Sequence, residues 1–176
     1  MTNSFLEYLQ SLPRLKDLKN KHTSVSLFSG GGGLDLGLAL AGFQINFATD
    51  IEPAHCDTIA HNFPDAITYA IDVNNLTADK IRELTGIHDF DLVAGGPPCQ
   101  AFSILGRRNS LQDPRGQLVY EHIRLITELQ PKAFLFENVP GLLTLNKGKD
   151  WNDLITYFKN ETGYKIYTKT LNSADF

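Results

Sequence analysis

Residues 25–50 read VSLFSGGGGLDLGLALAGFQINFATD and contain a complete strand–turn–helix–strand pattern. The apolar run VSLF (25–28) leads into four glycines at 30–33, a helical pattern follows at 34–41, and a second apolar run, INFAT, occupies 45–49. Two parallel strands need a crossover of this kind, which is usually a helix. The segment therefore predicts a β-α-β unit with a glycine turn at the carboxyl end of its first strand.

The same alternation continues on the C-terminal side of this unit. Further strands are predicted at 66–71, 91–95, 133–138 and 164–171, and further helices at 53–62, 77–84, 117–129 and 150–160. The pattern indicates an α/β fold in which a mostly parallel sheet carries helices on both faces. Ligands of such doubly wound sheets bind outside the carboxyl ends of the strands, so the residues that follow each strand are the candidate site residues.

Length and composition limit the class of protein. The chain has 176 residues, of which 42% are hydrophobic and 20% charged, and this is typical of a globular domain with its own core. We expect a short helical extension at 1–22 and one domain at 23–176. Two cysteines make neither a disulfide framework nor a zinc cluster, and no secretory signal or membrane-spanning stretch is found, so a cytoplasmic location is expected. The net charge of −4 is not typical of a stand-alone nucleic-acid binder.

The glycine turn is the first candidate ligand site. Glycines there let the backbone approach a ligand, and the N-terminus of the following helix offers unpaired N–H groups. The G-x-G-x-x-G spacing of dinucleotide-binding proteins is absent, because its last position falls on Asp35 in one register and on Leu36 in the other. This disfavours a pyrophosphate ligand.

Acidic residues follow the next two strands. Asp50 follows the second strand, and an acidic side chain there can hold both hydroxyls of a ribose. Asp72 follows the third strand and suits an adenine amino group, while Ile51 suits the adenine face. With a glycine turn that lacks the pyrophosphate signature, these residues favour an adenosine ligand such as S-adenosylmethionine. The alternative is a tight turn in which Asp50 only caps the helix that begins at Pro53.

A cysteine and a glutamate end the fourth and fifth strands. Cys99 follows Pro97 and Pro98, whose fixed backbone holds the thiol in place, and Glu137 ends the strand at 133–138. Neighbouring strands lie about 4.8 Å apart, so both side chains are expected over one crevice. A thiolate is a strong nucleophile. Glu137 is better suited to give a proton to a ring nitrogen, a role that burial of its carboxyl would favour.

Structural alternatives exist for these residues. Cys99 alone fits a small buried hydrophobic residue, and Glu137 alone fits a carboxylate that caps a turn at Asn138. The two prolines and the polar loop at 100–116 favour the chemical role for Cys99. Cys56 lies in the helical pattern PAHCDTIAHNF and is interpreted as a packing residue.

Four ordered motifs within residues 24–176 resemble those of the DNA cytosine-C5 methyltransferase family. LFSGGGGLDLG resembles the cofactor loop, TDIEP the ribose and adenine segment, GGPPCQAFS the catalytic Pro-Cys loop, and ENV (137–139) the segment with the catalytic glutamate. GGPPCQAFS is the most specific match, and LNSADF resembles the start of the family's next block. The resemblance implies the Rossmann-like fold of S-adenosylmethionine-dependent methyltransferases, incomplete at its C-terminal end.

The resemblance also implies a mechanism. The target cytosine of double-stranded DNA is flipped into the crevice, Cys99 attacks its C6 atom, and Glu137 protonates or hydrogen-bonds N3. C5 then takes the methyl group, S-adenosyl-L-homocysteine is the product, and loss of the C5 proton and the thiol restores the ring. The residues implied in cofactor binding are Phe28, Gly30, Gly32, Asp50, Ile51, Asp72, Pro98 and Leu118. Those implied in DNA contact are Ser103, Arg107, Arg108 and Arg115, and no metal site is implied.

The sequence departs from the family pattern at its C-terminal end. The family continues there with a Gln-x-Arg-x-Arg segment, a variable target-recognition region and a final helix. We therefore expect a truncated form, or one half of a split enzyme that needs a second chain for target recognition, with little or no activity alone. The segment 164–171 would then lack its neighbouring strand, and the edge at 133–138 would be bare and apolar.

Other functions stay open. A tRNA cytosine-C5 methyltransferase shares the same core motifs, and a non-catalytic cofactor-binding or assembly module would keep the fold. Retention of both Cys99 and Glu137 disfavours the module. An amino-directed DNA methyltransferase would carry Pro-Pro-Tyr or Pro-Pro-Trp where this chain has Pro-Pro-Cys at 97–99. Each arginine of the loop at 100–116, taken alone, also fits a solvated surface.

Overall fold

The computed structural model describes residues 21–98 and 114–175. In these ranges the strands are β1 His22–Leu27, β2 Phe43–Asp50, β3 Ile67–Ala70, β4 Leu92–Gly95 and β5 Ala133–Phe136. The α-helices are α1 Gly33–Leu40, α2 Pro53–Asn62, α3 Ala78–Thr85, α4 Pro114–Leu129 and α5 Lys149–Thr162, and single 3-10 turns lie at Val73–Asn75, Pro140–Leu143, Leu145–Gly148 and Ser173–Asp175. The predicted α/β alternation is confirmed, while the helical extension predicted at 1–22 falls outside the described residues except at its end.

The strands form one parallel sheet in the order β3-β2-β1-β4-β5. The register pairs Leu27 with both Thr49 and Gly95, and it pairs Gly95 with Phe136, so these carboxyl ends lie at one edge of the sheet. From β1 the chain adds β2 and then β3 on one side of the sheet, and it then adds β4 and β5 on the other side, so the order reverses between β1 and β4. Ligands of doubly wound sheets bind at such a reversal. The predicted pairing of the fourth and fifth strands is confirmed.

Local sequence explains where the helices begin and end. Pro53 is the first residue of α2, where its missing N–H and fixed φ suit the first turn. The Thr77 hydroxyl caps α3 by accepting from the N–H of Lys80 at 3.2 Å. Gly86 and Gly163 end α3 and α5 in the left-handed conformation, with φ of 68° and 73°. No helix within the described ranges is both long and apolar enough to cross a membrane.

Apolar side chains cover both faces of the sheet. One cluster joins strand residues to α3, α4 and α5, and its members include Val25, Leu27, Phe47, Ile81, Val93, Ile123, Ile126 and Phe158. The other joins strand residues to α1 and α2, and its members are Leu38, Ile45, Ala48, Ile59, Leu92 and Ala94. Because both faces are buried, the strands read as short continuous apolar runs in the sequence.

The segment 164–171 is not a strand, so the prediction of a sixth strand is wrong. Its first residue, Tyr164, packs edge-on against Phe134 of β5 and donates a hydrogen bond to the carbonyl of Pro131. Further along, Tyr167 is 79% exposed. A strand needs a hydrogen-bonded neighbour, and within the described residues β5 pairs on one side only, with β4. Alternating apolar residues are insufficient on their own to form a strand.

Candidate active site

The glycine turn after β1 has room for a side chain at some of its positions and not at others. Phe28, Gly30 and Gly32 all have positive φ, at 56°, 52° and 85°. A Cβ added to Gly32 would lie 2.7 Å from Cδ1 of Ile59, so this position requires glycine. A Cβ added to Gly30 or Gly31 would meet nothing within 4 Å. The outer face of the turn is therefore open to a ligand.

Asp50 ties the end of β2 to the glycine turn. Its Oδ2 accepts from the N–H of Gly30 at 2.9 Å, and its Oδ1 accepts from the N–H of Glu52 at 3.0 Å. The Nδ1 atom of His55 lies 3.0 Å from the same Oδ1. Burial alone would raise the pKa of Asp50, but these hydrogen bonds outweigh it and lower the pKa. Asp50 is thus an ionised organiser of the turn as well as a candidate ribose ligand.

The three hydrogen bonds leave Asp50 room for a ligand. A carboxylate offers about four acceptor positions, two on each oxygen. In Asp50 both positions on Oδ1 are used and one on Oδ2 is used, so one position on Oδ2 is left. His55 was not among the predicted site residues, although its position in the first turn of a predicted helix, five residues after Asp50, was the available signal. The bond to Glu52 is a local turn contact: the N-cap residue of α2 is Glu52, and no side-chain hydrogen bond caps this helix, so the alternative in which Asp50 caps it is wrong.

Asp72 and Ile51 lie on the same side of the turn. The register pairs Asp50 with Ala70, so the segments that follow β2 and β3 leave the sheet together. Asp72 caps the 3-10 turn Val73–Asn75, since its Oδ1 accepts from the N–H and the side-chain amide of Asn74 at 3.0 and 2.7 Å. Its Oδ2 has no partner among the described residues. Ile51 is 65% exposed and presents an apolar surface beside Asp50.

The ends of β4 and β5 hold the catalytic-loop candidate against Glu137. The N–H of Glu137 donates to the carbonyl of Gly95 at 3.0 Å. A Cβ added to Gly96 would lie 2.8 Å from Oε2 of Glu137, so the two residues are close neighbours. The side-chain amide of Asn138 donates to the carbonyl of Pro97 at 2.9 Å. The segment that leads to Cys99 thus starts beside Glu137, and Asn138, which the sequence analysis treated only as a turn residue, is what fastens it.

Glu137 is exposed among the described residues, so they do not supply the burial that would favour its role as a proton donor. The side chain leaves the sheet at the carboxyl end of an edge strand, where the described residues provide no cover. No hydrogen bond or ion pair within the described part of the chain engages its carboxylate. Among the described residues the group is therefore free to meet a ligand.

His122 of α4 fills the space beneath the site. Its ring stacks on Phe28 with centroids 6.0 Å apart and meets Phe136 edge-on at 5.7 Å. A Cβ added to Gly95 would lie 2.7 Å from its Cε1 atom, which explains the first glycine of the Gly95-Gly96 pair. Neither ring nitrogen has a hydrogen-bond partner in the described residues. Full burial lowers the pKa of His122 to about 3.

His122 predicts a pH dependence of stability. Between its ordinary pKa of 6.5 and the folded value of about 3, the unfolded chain binds a proton that the folded chain does not. The free energy of unfolding should therefore fall with decreasing pH, by about 1.4 kcal/mol per unit from this group alone. In the His122→Leu variant this contribution disappears, so urea unfolding between about pH 5 and 6 should show a flatter slope than wild type. His61→Gln, at an exposed position of α2, is the matched control and keeps the wild-type slope. Parallel curves for wild type and His122→Leu would contradict the prediction.

The remaining predicted site residues divide between the described and undescribed parts of the chain. Leu118 is half-buried on α4 and packs against the main core, and Pro98 is exposed at the end of the first described range. Outside the described residues lie Cys99, Ser103, Arg107, Arg108 and the side chain of Arg115. Cys56 is buried in α2, as expected for a packing residue. In the described ranges no group of three His, Cys, Asp or Glu residues is arranged to hold a metal ion.

Comparison with known sequences covers the whole fold. The family model for the C-5 cytosine-specific DNA methylase matches residues 22–176. Type II methyltransferase M.XorII of Xanthomonas oryzae pv. oryzae is 44% identical over 157 residues, which make up 86% of this chain and 36% of that protein. Type II methyltransferase M.AquIA of Picosynechococcus sp. is 40% identical over 161 residues, 86% of this chain and 65% of that protein. The chain thus spans 36% and 65% of the lengths of these two relatives.

Solved structures share the fold. A protein described as a DNA modification methyltransferase encoded within an E. coli prophage matches with a TM-score of 0.67 at 36% identity, over 81% of this chain and 38% of that one. A mutant of DNMT2 from Spodoptera frugiperda matches with a TM-score of 0.60 at 26% identity, over 81% of this chain and 41% of that one. The family indicated by the four motifs is therefore confirmed over most of the sequence. With its Rossmann-like α/β sheet and a family match over residues 22–176, the chain belongs to the C-5 cytosine-specific DNA methylase family.

Proposed function

We propose that this chain carries the cofactor site and the catalytic residues of an enzyme that transfers a methyl group from S-adenosylmethionine to C5 of cytosine in DNA. The observation that carries the proposal is the contact between the two catalytic segments. Asn138 holds the carbonyl of Pro97, and Gly96 lies against Glu137, so the Cys99 loop begins beside the glutamate. Their strands, β4 and β5, lie on one side of the glycine turn, and the candidate adenosine ligands lie on the other.

The side chains around the glycine turn fit the cofactor. Asp50 has one acceptor position left for a ribose hydroxyl, and a second becomes available when the exposed His55 ring turns away. Asp72 offers its unpaired Oδ2 to the adenine amino group, and Ile51 offers an exposed apolar face to the ring. We assign Phe28, Gly30, Gly32, Pro98 and Leu118 to the rest of the site. The bound cofactor supplies a methyl group on a positively charged sulfur, which is the electrophile of the reaction.

Cys99 and Glu137 act on the cytosine ring. The Cys99 thiolate forms a bond to C6, and the electrons of the C5–C6 double bond shift to form a C4–C5 double bond. The electron pair of the C4–N3 double bond moves to N3, which takes a proton or hydrogen bond from Glu137. C5 becomes the nucleophilic carbon of an enamine and accepts the methyl group. As C5 takes the methyl group the C4–N3 double bond forms again. A base then removes the C5 proton, the C5–C6 double bond forms again, the thiolate leaves, and N3 returns its proton to Glu137. C5 of free cytosine is a poor nucleophile, so the sulfur is what makes carbon attack possible.

Double-stranded DNA with a flipped cytosine is the proposed substrate. A base inside a duplex is inaccessible to a crevice of this kind, so the target nucleotide must leave the stack. We assign Ser103, Arg107, Arg108 and Arg115 to contacts with the DNA backbone. The chain's net charge of −4 is unsuited to holding DNA alone, so further phosphate contacts must come from another polypeptide segment.

The edge of β5 is the proposed contact for that segment. Within the described residues β5 has a strand neighbour on one side only. Leu135 on this edge is 39% exposed, and Val139 just beyond it is 53% exposed. A bare apolar strand edge calls for a covering element. We propose that a target-recognition segment, in the same polypeptide or in a second chain, packs there.

The identity of the methylated product tests the proposed function. The chain is incubated with labelled S-adenosylmethionine and either duplex DNA or tRNA, alone and together with the C-terminal part of a relative such as M.XorII. We expect 5-methyldeoxycytidine, identified by mass spectrometry, from DNA in the complemented sample and little from the chain alone. Methylation of the exocyclic amine, or product from tRNA alone, would contradict the proposal.

A further inference from the structure

Arg124, near the middle of α4, is held from two sides by carboxylates of its own helix. Its Nε donates to Oε2 of Glu121 at 2.7 Å, and its Nη1 donates to Oε1 of Glu128 at 2.9 Å. A guanidinium is planar and presents its donors in a fixed fork, so two such contacts fix the direction of the remaining N–H groups. Arg124 therefore has a defined orientation before it contacts anything outside α4.

Nη2 lies 2.6 Å from the same Oε2 of Glu121, and it also binds the turn that Asp72 begins. We call this the Asp72 turn and define it as residues 72–76. Nη2 donates to the carbonyl of Leu76 at 2.8 Å and to that of Val73 at 3.3 Å. The side chains of Val73 and Leu76 are buried in the main core beside α4. Polar and apolar contacts thus fix the same short turn to the same helix.

A second contact extends this connection. Oε2 of Glu128 accepts from the N–H of Ala78 at 3.3 Å, at the first residue of α3. Glu128 therefore binds Arg124 through one oxygen and the start of α3 through the other. The chain from Val73 to Ala78 is in this way fixed to α4 at three main-chain atoms.

We propose that Arg124 is a positioning residue that makes the cofactor site selective for the adenine amino group. The inference rests on the proposed function, in which Asp72 and Leu118 bind the cofactor. Leu118 lies six residues before Arg124 on α4, or about 9 Å along the helix axis. Arg124 thus joins the element that carries Leu118 to the turn that carries Asp72, and it sets where the unpaired Oδ2 of Asp72 points.

Two ligands that differ only at the base test this inference. S-adenosyl-L-homocysteine has an amino group at position 6 of the purine, which donates to Asp72, whereas S-inosyl-L-homocysteine has a carbonyl oxygen there, which cannot. The ratio of their dissociation constants, measured by calorimetry on the full chain, should favour the adenosyl compound by at least about tenfold in wild type. Arg124→Gln should bring this ratio close to that of Asp72→Ala, and the double variant should show no further change.

The ratio separates positioning from general destabilisation. A variant that only unfolds more easily binds both ligands less well and keeps the wild-type ratio. Arg82→Gln is the matched control, because Arg82 joins α3 to the Glu128 carbonyl without contacting the Asp72 turn, and it should keep the ratio. Arg124→Lys retains the charge without the fork and should give an intermediate ratio.

The outcomes distinguish this inference from the proposed function. If wild type prefers the adenosyl ligand to the inosyl ligand and both Arg124 variants keep the wild-type ratio of dissociation constants, the positioning role is wrong and the proposed function stands. If wild type binds neither ligand, the proposed function fails and the inference fails with it. If Arg124→Gln lowers the ratio further in an Asp72→Ala background, Arg124 acts independently of Asp72 and the inference is overturned.

Discussion

The Cys99→Ser variant should lose methyl transfer and should form no covalent complex with DNA. We expect turnover to fall by at least roughly 10⁴-fold, since removing a covalent nucleophile eliminates the step that activates the substrate. A serine hydroxyl is not ionised near neutral pH, whereas a cysteine has a usable thiolate fraction there. The measurement is transfer of labelled methyl groups to duplex DNA by the protein complemented with a target-recognition segment.

A substrate that stops the reaction after methyl transfer makes the result specific. Fluorine at C5 cannot leave as a proton, so the thiolate cannot be expelled and the protein stays bonded to C6. DNA with 5-fluorocytosine at the target site should therefore give a complex that survives denaturing electrophoresis with wild type and is absent with Cys99→Ser. Cys56→Ser is the matched control, because Cys56 is buried in α2 and should leave complex formation intact. A stable complex with Cys99→Ser would contradict the covalent mechanism.

The elements of the fold were predictable because local sequence determines them. A glycine turn after VSLF, a proline at position 53 and a glycine at position 86 mark boundaries that the structure also has. The five strands of the sheet lie where short apolar runs indicated them. The segment 164–171 had the same local signal and failed, because strand formation also depends on a neighbour that local sequence does not reveal.

The candidate site residues at the strand ends were predictable from the sequence, and those on helix α4 were not. Asp50 ends β2, Asp72 and Glu137 follow β3 and β5, and the general rule for parallel sheets brings all three to one edge. His122 and Arg124 lie in the middle of a helix whose sequence, LVYEHIRLI, reads as an ordinary amphipathic pattern. Their roles depend on which strand and which turn pack against α4, and this is a tertiary fact. The available signal was the Gly95-Gly96 pair, since a strand end without side chains implies that a neighbouring group takes that space.

The exposure of Glu137 changes how its role must be explained. A carboxyl in a buried pocket would be protonated by its surroundings before substrate arrives, but the described residues leave this one open to water. In the proposed mechanism, a flipped cytosine lying over Glu137 would exclude water from the carboxyl. Proton donation to N3 would thus be coupled to base flipping, so that the group becomes a good donor only when its substrate is in place.

This coupling gives the second large prediction. Glu137→Gln should lower the rate of methyl transfer by roughly 10²–10⁴-fold, the range for loss of a general acid, because an amide can hydrogen-bond N3 but cannot give it a full proton. The rate should be measured in a single turnover on duplex DNA. The dissociation constant for S-adenosyl-L-homocysteine should stay within about twofold of wild type, because Glu137 follows β5, whereas Asp50 and Asp72 lie at the ends of β2 and β3 on the other side of β1.

The Asn138→Ala variant separates the positioning of the Cys99 loop from the acid role of Glu137. It keeps the carboxyl of Glu137 and removes the hydrogen bond to Pro97 that fastens the Cys99 loop. We expect it to slow formation of the covalent complex with 5-fluorocytosine DNA, since the thiol loses its fixed position, by about tenfold for the loss of one positioning hydrogen bond. Glu137→Gln should instead slow the reaction even when the Cys99 loop is in place. Equal rates for wild type and Glu137→Gln would mean that N3 needs no proton from this carboxyl and would contradict the acid role of Glu137.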